Sequence, residues 1–312
     1  MAPWHRHAWL AYLAVFIGVL GHASTEFFSV LSGISGPELS VWRFLLGSIG
    51  LVLLALIFPA SRDLIAPFRT HGWRLASLSL LGITVGYLVF HWSLDFASVP
   101  QVATVVTTIP IFVAISTLLI NGQKISVSKA ASGGCAIVGI ILLITDGYLA
   151  QLAGSAENLI GIFLAMSCAA AVAAYSVLIR PLIAEFGALR ITAISMFLGA
   201  IGLWLVVGIS FGVWATPSRL STLDGTALAS LLMIAFWNTT ITQFLWIGGL
   251  AVVPDITRGS YLFFLKPAIA ALLAVQILGQ PLTLTQFLAI AVISASVAAE
   301  FIVGKLTRGR KT

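Results

Sequence analysis

Charge is what this chain has least of: charged residues make up 8% of its 312 positions, against 60% hydrophobic. A soluble domain runs at about a quarter charged, so there are too few polar side chains to cover a water-facing surface. Cysteine is nearly absent as well. Cys135 and Cys168 both fall inside apolar stretches, which excludes a disulfide framework or a cysteine metal cage and leaves them as small core residues. Enzyme signatures are missing: there is no Gly-rich phosphate loop ending in Lys, no HExxH and no Gly-x-Ser-x-Gly. With no nucleotide site, any work the chain does must draw on gradients. Neither an enzyme nor a cofactor is expected.

Long apolar runs dominate what remains. A membrane-spanning helix needs about 20 apolar residues. Ten runs of that order stand at roughly 10–31, 37–58, 73–94, 99–120, 126–147, 159–180, 189–212, 226–249, 256–277 and 283–303. Connections between them are short and leave no room for a soluble domain. The fold class is an all-α membrane protein, because a helix satisfies its own backbone in lipid. His5, Arg6 and His7 precede the first run as in a signal peptide. The run is too long for one and lacks a small-residue cleavage site, so it reads as an uncleaved first span.

The net charge of +6 does not point to nucleic acid, because its distribution follows the spans. With the N-terminus inside, the inner segments hold Arg6, Arg62, Arg69, Arg74, Lys124, Lys129, Arg180, Arg190, Arg258, Lys305, Arg308, Arg310 and Lys311. The outer loops hold Arg219 alone, while Arg43 and Lys266 fall within spans. Basic residues stay on the cytoplasmic side, so both termini are expected there, in a multi-pass protein of the cytoplasmic (inner) membrane whose partner is the bilayer.

The chain also repeats. PIFVAISTLLINGQKISVS, from Pro110, returns 157 residues later as PAIAALLAVQILGQPLTLT, from Pro267, with Pro, Gly-Gln and the following hydroxyl residues in register. The corners Trp92…Pro100 and Trp246…Pro254 share one spacing. Two halves are expected, 1–150 and 151–312, each of five helices. Five is odd, so the second half enters the membrane from the opposite face, and inverted repeats suit alternating access. Pro110 and Pro267 lie inside spans, where each frees a carbonyl four residues earlier, at Val106 and Phe263.

The helix 2 start GPELSVWRF, the helix 4 proline, the Gly-Gln-x-[IL]-[ST] turns and the sixth run GIFLAMSCAAAVAAYSVLIRP resemble the EamA-type, ten-helix members of the drug/metabolite transporter superfamily. The resemblance covers essentially the whole chain. It implies a transporter with a central cavity facing both repeats, commonly an exporter of amino acids or other small metabolites. The chain departs from the family pattern at Gln123 and Gln280, where Gly-Glu is usual, and at Lys266 before the helix 9 proline.

A charge near the bilayer centre costs about 2.5–3.5 kcal/mol on insertion scales, so each one needs a reason. Glu26 and His22 lie one turn apart on helix 1. Glu26 is either a cavity carboxylate with a cation-binding or proton-coupling role, or a paired structural acid. Arg43 on helix 2 either snorkels to the headgroups or braces the helix 1–2 corner through Glu38, recognises a substrate anion, or pairs with Glu26. Lys266, mid-span on helix 9, fits a cavity-facing ammonium. His91 is a candidate for the cavity rim, and Trp237 and Tyr261 for stacking on an organic substrate. Asn238, Gln243, Thr104, Thr107 and Thr108 suit bonds between helices. The expected function is export of a small zwitterionic or anionic metabolite, with proton coupling resting on Glu26 and His22. The alternative is a non-transporting sensor or assembly subunit.

Overall fold

The computed structural model describes residues 7–34, 36–97, 99–145, 156–278 and 283–309, and these contain helices and no strands. Among the described residues, nine helices are long and apolar enough to cross a membrane, and Val127–Thr145 is a shorter apolar one. In chain order α1 is Ala8–Ala23 continued by Thr25–Leu31, and α2 is Gly36–Ile57. Three consecutive stretches, Ala66–Ser79, Leu80–Val85 and Gly86–Ser93, make α3; α4 is Val99–Val106 and Ile109–Asn121, and α5 is Val127–Thr145. The second half gives α6 (Ala156–Leu178, then Arg180–Phe186), α7 (Ala188–Phe211) and α8 (Gly225–Ala235, Phe236–Ile241, Thr242–Val252). It closes with α9 (Ile256–Ser260, Tyr261–Leu265, Lys266–Leu278) and α10 (Leu284–Gly309). Helix α3 begins well before its apolar run, carrying Arg69, His71 and Arg74, because helix formation continues into water where hydrophobicity stops.

Packing follows a two-fold rule. α1 lies on α8 as α6 lies on α3; α2 meets α7, and α5 meets α10. Lipid tails are as apolar as the helices, so close van der Waals approach rather than water exclusion drives this association. Glycines supply it. A Cβ built on Gly47 of α2 would lie 2.6 Å from the Thr239 Cβ of α8, and one on Gly199 of α7 would lie 2.3 Å from the Ile83 Cβ of α3. The same rule places hydrogen bonds: Thr240 Oγ1 donates to the Gly47 carbonyl and Thr84 Oγ1 to the Gly199 carbonyl, each at 2.8 Å. Gly47 and Gly199 sit in Leu46–Leu51 and Leu198–Leu203, two copies of LGxIGL that reveal the repeat in helices 2 and 7.

Helices α3 and α8 each contain a π-helical turn, at Leu80–Val85 and Phe236–Ile241. Wider turns of this kind leave a carbonyl out of the helical ladder. At α8 the Thr242 N–H bonds the Thr239 and Trp237 carbonyls and bypasses that of Asn238. Helices α4 and α9 break near their prolines in different ways. In α4 the ladder is interrupted at Thr107 and Thr108, whose hydroxyls bond back to Ala103 and Val105. In α9 the three extra residues of the second copy are accommodated in a 3-10 turn, Tyr261–Leu265. The carbonyl that Pro267 leaves at Phe263 accepts the Lys266 N–H there. Gly122 ends α4 in the left-handed conformation, φ 65°, as a glycine cap does. Its repeat partner Gly279, with Gln280, lies outside the described residues.

Candidate functional site: a cationic, aromatic cavity between the halves

The breaks of α4 and α9 border a cavity of about 40 Å³, room for about three waters. The first half contributes His22 and Thr25 of α1, Arg43 of α2, Tyr87 and Phe90 of α3, and Val106 and Ile109 at the break of α4. The second half contributes Cys168 and Val172 of α6, Trp246 of α8, and Phe263 and Lys266 at the break of α9.

Arg43 is 2% exposed, so it neither snorkels nor braces the corner through Glu38. Its Nε donates to Thr239 Oγ1 at 3.0 Å, and a terminal nitrogen donates to the Asn238 carbonyl at 3.3 Å. That is the carbonyl the π turn of α8 releases, so the irregular turn and the buried cation account for one another. The guanidinium also lies 5.3 Å and 5.6 Å from the ring centres of Phe44 and Tyr87, contacts worth about 0.5–2 kcal/mol each. Glu38 instead pairs with Arg219 at 3.0 Å.

Lys266 begins the last segment of α9, with its Nζ 5.9 Å from the Phe263 ring centre. His22 meets the same ring edge-on at 5.5 Å and Trp246 at 5.7 Å. Thus His22, Arg43 and Lys266, picked from the sequence, line one cavity. Glu26 falls in the helical stretch Thr25–Leu31, and its side chain lies outside the described residues.

The remaining candidates are placed elsewhere. His91 Nδ1 bonds Ser40 Oγ and the Tyr87 carbonyl, tying α3 to α2. Trp237 Nε1 donates to Ser24 Oγ at 3.1 Å and so locks α8 to α1. Tyr261 donates to the Lys129 carbonyl at 2.6 Å in the cluster of α5, α9 and α10. Cys135 is exposed on the bundle exterior rather than in the core. Sequence reasoning missed Tyr87, Phe90, Cys168 and Phe263 as cavity residues. Trp246 was visible only as a corner marker.

Away from the cavity, a charged cluster ties α5 to α9 and α10. Lys129 Nζ pairs with Asp255 Oδ2 at 2.7 Å, and Arg258 pairs with Glu300 at 3.2 Å. Asp255 also caps α9 by accepting the Arg258 N–H. Burial alone would raise its carboxyl, but the hydrogen bonds from Lys129 and Arg258 and their two charges hold it below the usual carboxylate range.

A multi-pass helical membrane protein with two matching halves and a cavity between them is the class this geometry defines. The EamA-like transporter family matches residues 9–145 and 159–300, one stretch in each half, and the chain belongs to that family. It is similar to an "Uncharacterized transporter" of Clostridium kluyveri, 22% identical over 66% of this chain and 64% of that protein. The match thus spans under two thirds of that relative's length. A second "Uncharacterized transporter", from Archaeoglobus fulgidus, is 22% identical over 68% of this chain and 71% of its own. A solved crystal structure shares the fold at a TM-score of 0.79, with 16% identity, over 95% of this chain and 98% of its own.

Proposed function

We propose that the protein is a secondary transporter that exports a small metabolite, an amino acid or amino-acid derivative, by alternating access. One observation carries this reading: Arg43 from the first half and Lys266 from the second are buried in the wall of the same cavity. Cations at that depth are costly, and two of them from opposite halves in one cavity wall suit a ligand that carries a carboxylate. Two halves packed by one rule offer two arrangements of similar energy around a fixed site. The family match and the two relatives named as transporters support the same reading. The basic residues favour a cytoplasmic-membrane protein with both termini inside. Glu26, one turn beyond His22, supplies a carboxylate for proton coupling.

The test is flux in proteoliposomes. Lys266→Met is expected to abolish amino-acid flux in protein that still folds and inserts; normal flux in that variant removes the cavity assignment. Flux that follows an imposed pH gradient supports coupling, and flux indifferent to pH and uncouplers reassigns the protein to facilitated diffusion.

A further inference from the structure

Inverted halves give the bundle two equivalent ends, and the residues at matching places differ in charge. At the end where α5 and α9 begin and α10 finishes, Lys129 pairs with Asp255 at 2.7 Å and Arg258 with Glu300 at 3.2 Å, which ties α9 to both neighbours. Ser128 Oγ donates to the Glu300 carboxylate at 3.0 Å, and the Tyr261 hydroxyl to the Lys129 carbonyl at 2.6 Å. Asp255, Arg258 and Tyr261 follow at intervals of three, hence on one face of α9.

The repeat identifies the matching places at the other end. In the register of Pro110 and Pro267, Lys129 corresponds to Gln286 and Glu300 to Leu143. In the register of the corner prolines, Pro100 and Pro254, Asp255 corresponds to Gln101 and Arg258 to Thr104. These four residues cannot form an ion pair. The helix caps are alike: Ser126 Oγ accepts the Lys129 N–H, and Thr283 Oγ1 the Gln286 N–H. The side chains then diverge. Lys129 reaches across to α9, whereas Gln286 turns back and accepts the Thr283 N–H of its own helix. Packing is unequal in the same sense. The first segment of α9 lies on the last segment of α4, and the reciprocal contact, of the first segment of α4 on the last of α9, is weaker among the described residues.

We infer that Lys129, Asp255, Arg258 and Glu300 lock their end of the cavity, so that the transporter without ligand opens first to the opposite face. The inference rests on the alternating-access reading and adds which end is held shut. Opening the charged end breaks two partly buried ion pairs, opening the other breaks none, and the two-state equilibrium shifts by that difference. The locked face of α9 continues through the 3-10 turn Tyr261–Leu265 into Phe263 and Lys266 of the cavity wall. Releasing the lock therefore frees the segment that covers the cavity on that side.

Cys168, in the cavity wall, reports which end opens. In a Cys135→Ser background, 2-sulfonatoethyl methanethiosulfonate, which does not cross membranes, is added to either side of sealed vesicles whose orientation is read from protease access to a C-terminal tag. Without ligand, Cys168 is expected to label about fivefold or more faster from the face opposite the C-terminus. Lys129→Met with Glu300→Gln cuts both ties between helices and leaves Asp255 and Arg258, 4.0 Å apart, as a neutral pair on α9. This double variant should lower the ratio of the two rates by about fivefold or more, through faster labelling from the C-terminal face. Lys129→Met alone should move the ratio the same way by less, and Lys129→Arg, which keeps the pair, should hold it within about twofold of wild type. Wild-type labelling that favours the C-terminal face overturns the inference with no variant needed. A ratio that stays at the wild-type value in inserted Lys129→Met and in the double variant removes the lock alone. Labelling from neither face alongside normal amino-acid flux takes the cavity off the transport path, and the inference falls with that reading.

Discussion

Tyr87 and Gln243 hold equivalent places in the two halves, each three residues past its π-turn threonine, Thr84 or Thr240, and they are bonded to each other. Gln243 Nε2 donates to the Tyr87 hydroxyl at 2.5 Å. Two equivalent positions can meet only near the axis that relates the halves, so this bond marks where one half turns against the other. Tyr87→Phe keeps the ring against Phe44 and Arg43 but strips the amide of a buried acceptor, a loss of about 1–3 kcal/mol. Thermal unfolding in detergent is expected to show that loss for Tyr87→Phe. In the double variant with Gln243→Leu the loss should be smaller than the sum of the two singles. Additive losses would mean that the two side chains do not act on one another.

Gly47 and Gly199 are expected to behave as a matched pair. A Cβ at either runs into Thr239 or Ile83 across the helix crossing, and overpacking of this sort costs about 1–3 kcal/mol. Gly47→Ala and Gly199→Ala should therefore both lower the melting temperature. Gly134→Ala, where a Cβ meets nothing within 4 Å, should leave it unchanged or raise it. Equal tolerance at all three positions would show that the crossings are looser than these contacts.

Most of the helical plan was legible in the sequence, because lipid forces each span to be long, apolar and self-bonded. The ten runs match α1 to α10 apart from polar extensions such as the start of α3. The cations were legible for the same reason: Arg43 and Lys266 stand out against an apolar background. The aromatic wall was not, since Phe90 and Phe263 look like any other lipid-facing or packing ring until helices bring them together. His91 and Trp237 were chosen for residue type, and type does not say which neighbour a helix rotation offers. Ser40 and Ser24 satisfied them first. The LGxIGL pair of α2 and α7 was available in the sequence and marks the two-fold axis more closely than the Pro110 repeat.

Asp255 makes the protein sensitive to acid in one direction. Its carboxyl titrates lower in the folded protein than in the unfolded chain. Its contribution is therefore fully present above the unfolded value of about 3.9 and lost as pH falls through the folded one. Wild type should melt above Asp255→Asn at neutral pH, and the gap should close only below about pH 4. In a Lys129→Met background the neutral-pH gap should already be smaller. A gap that closes between pH 6 and 7 would assign the effect to another group.

Cys168 provides a native probe of the proposed occupancy. It lies in the cavity wall with Lys266 and His22 and is 2% exposed, whereas Cys135 faces outward from the bundle. In a Cys135→Ser background, a small methanethiosulfonate reagent reaches the Cys168 thiol only when the cavity opens, so labelling should be slow. A carboxylate that occupies the cavity should slow it further, with half-protection near that ligand's dissociation constant. Lys266→Met should remove the protection, judged against that variant's own unliganded rate, because the ligand loses its ammonium partner. Protection that persists in Lys266→Met would place the carboxylate elsewhere, and labelling indifferent to every transported acid would separate the cavity from the transport path.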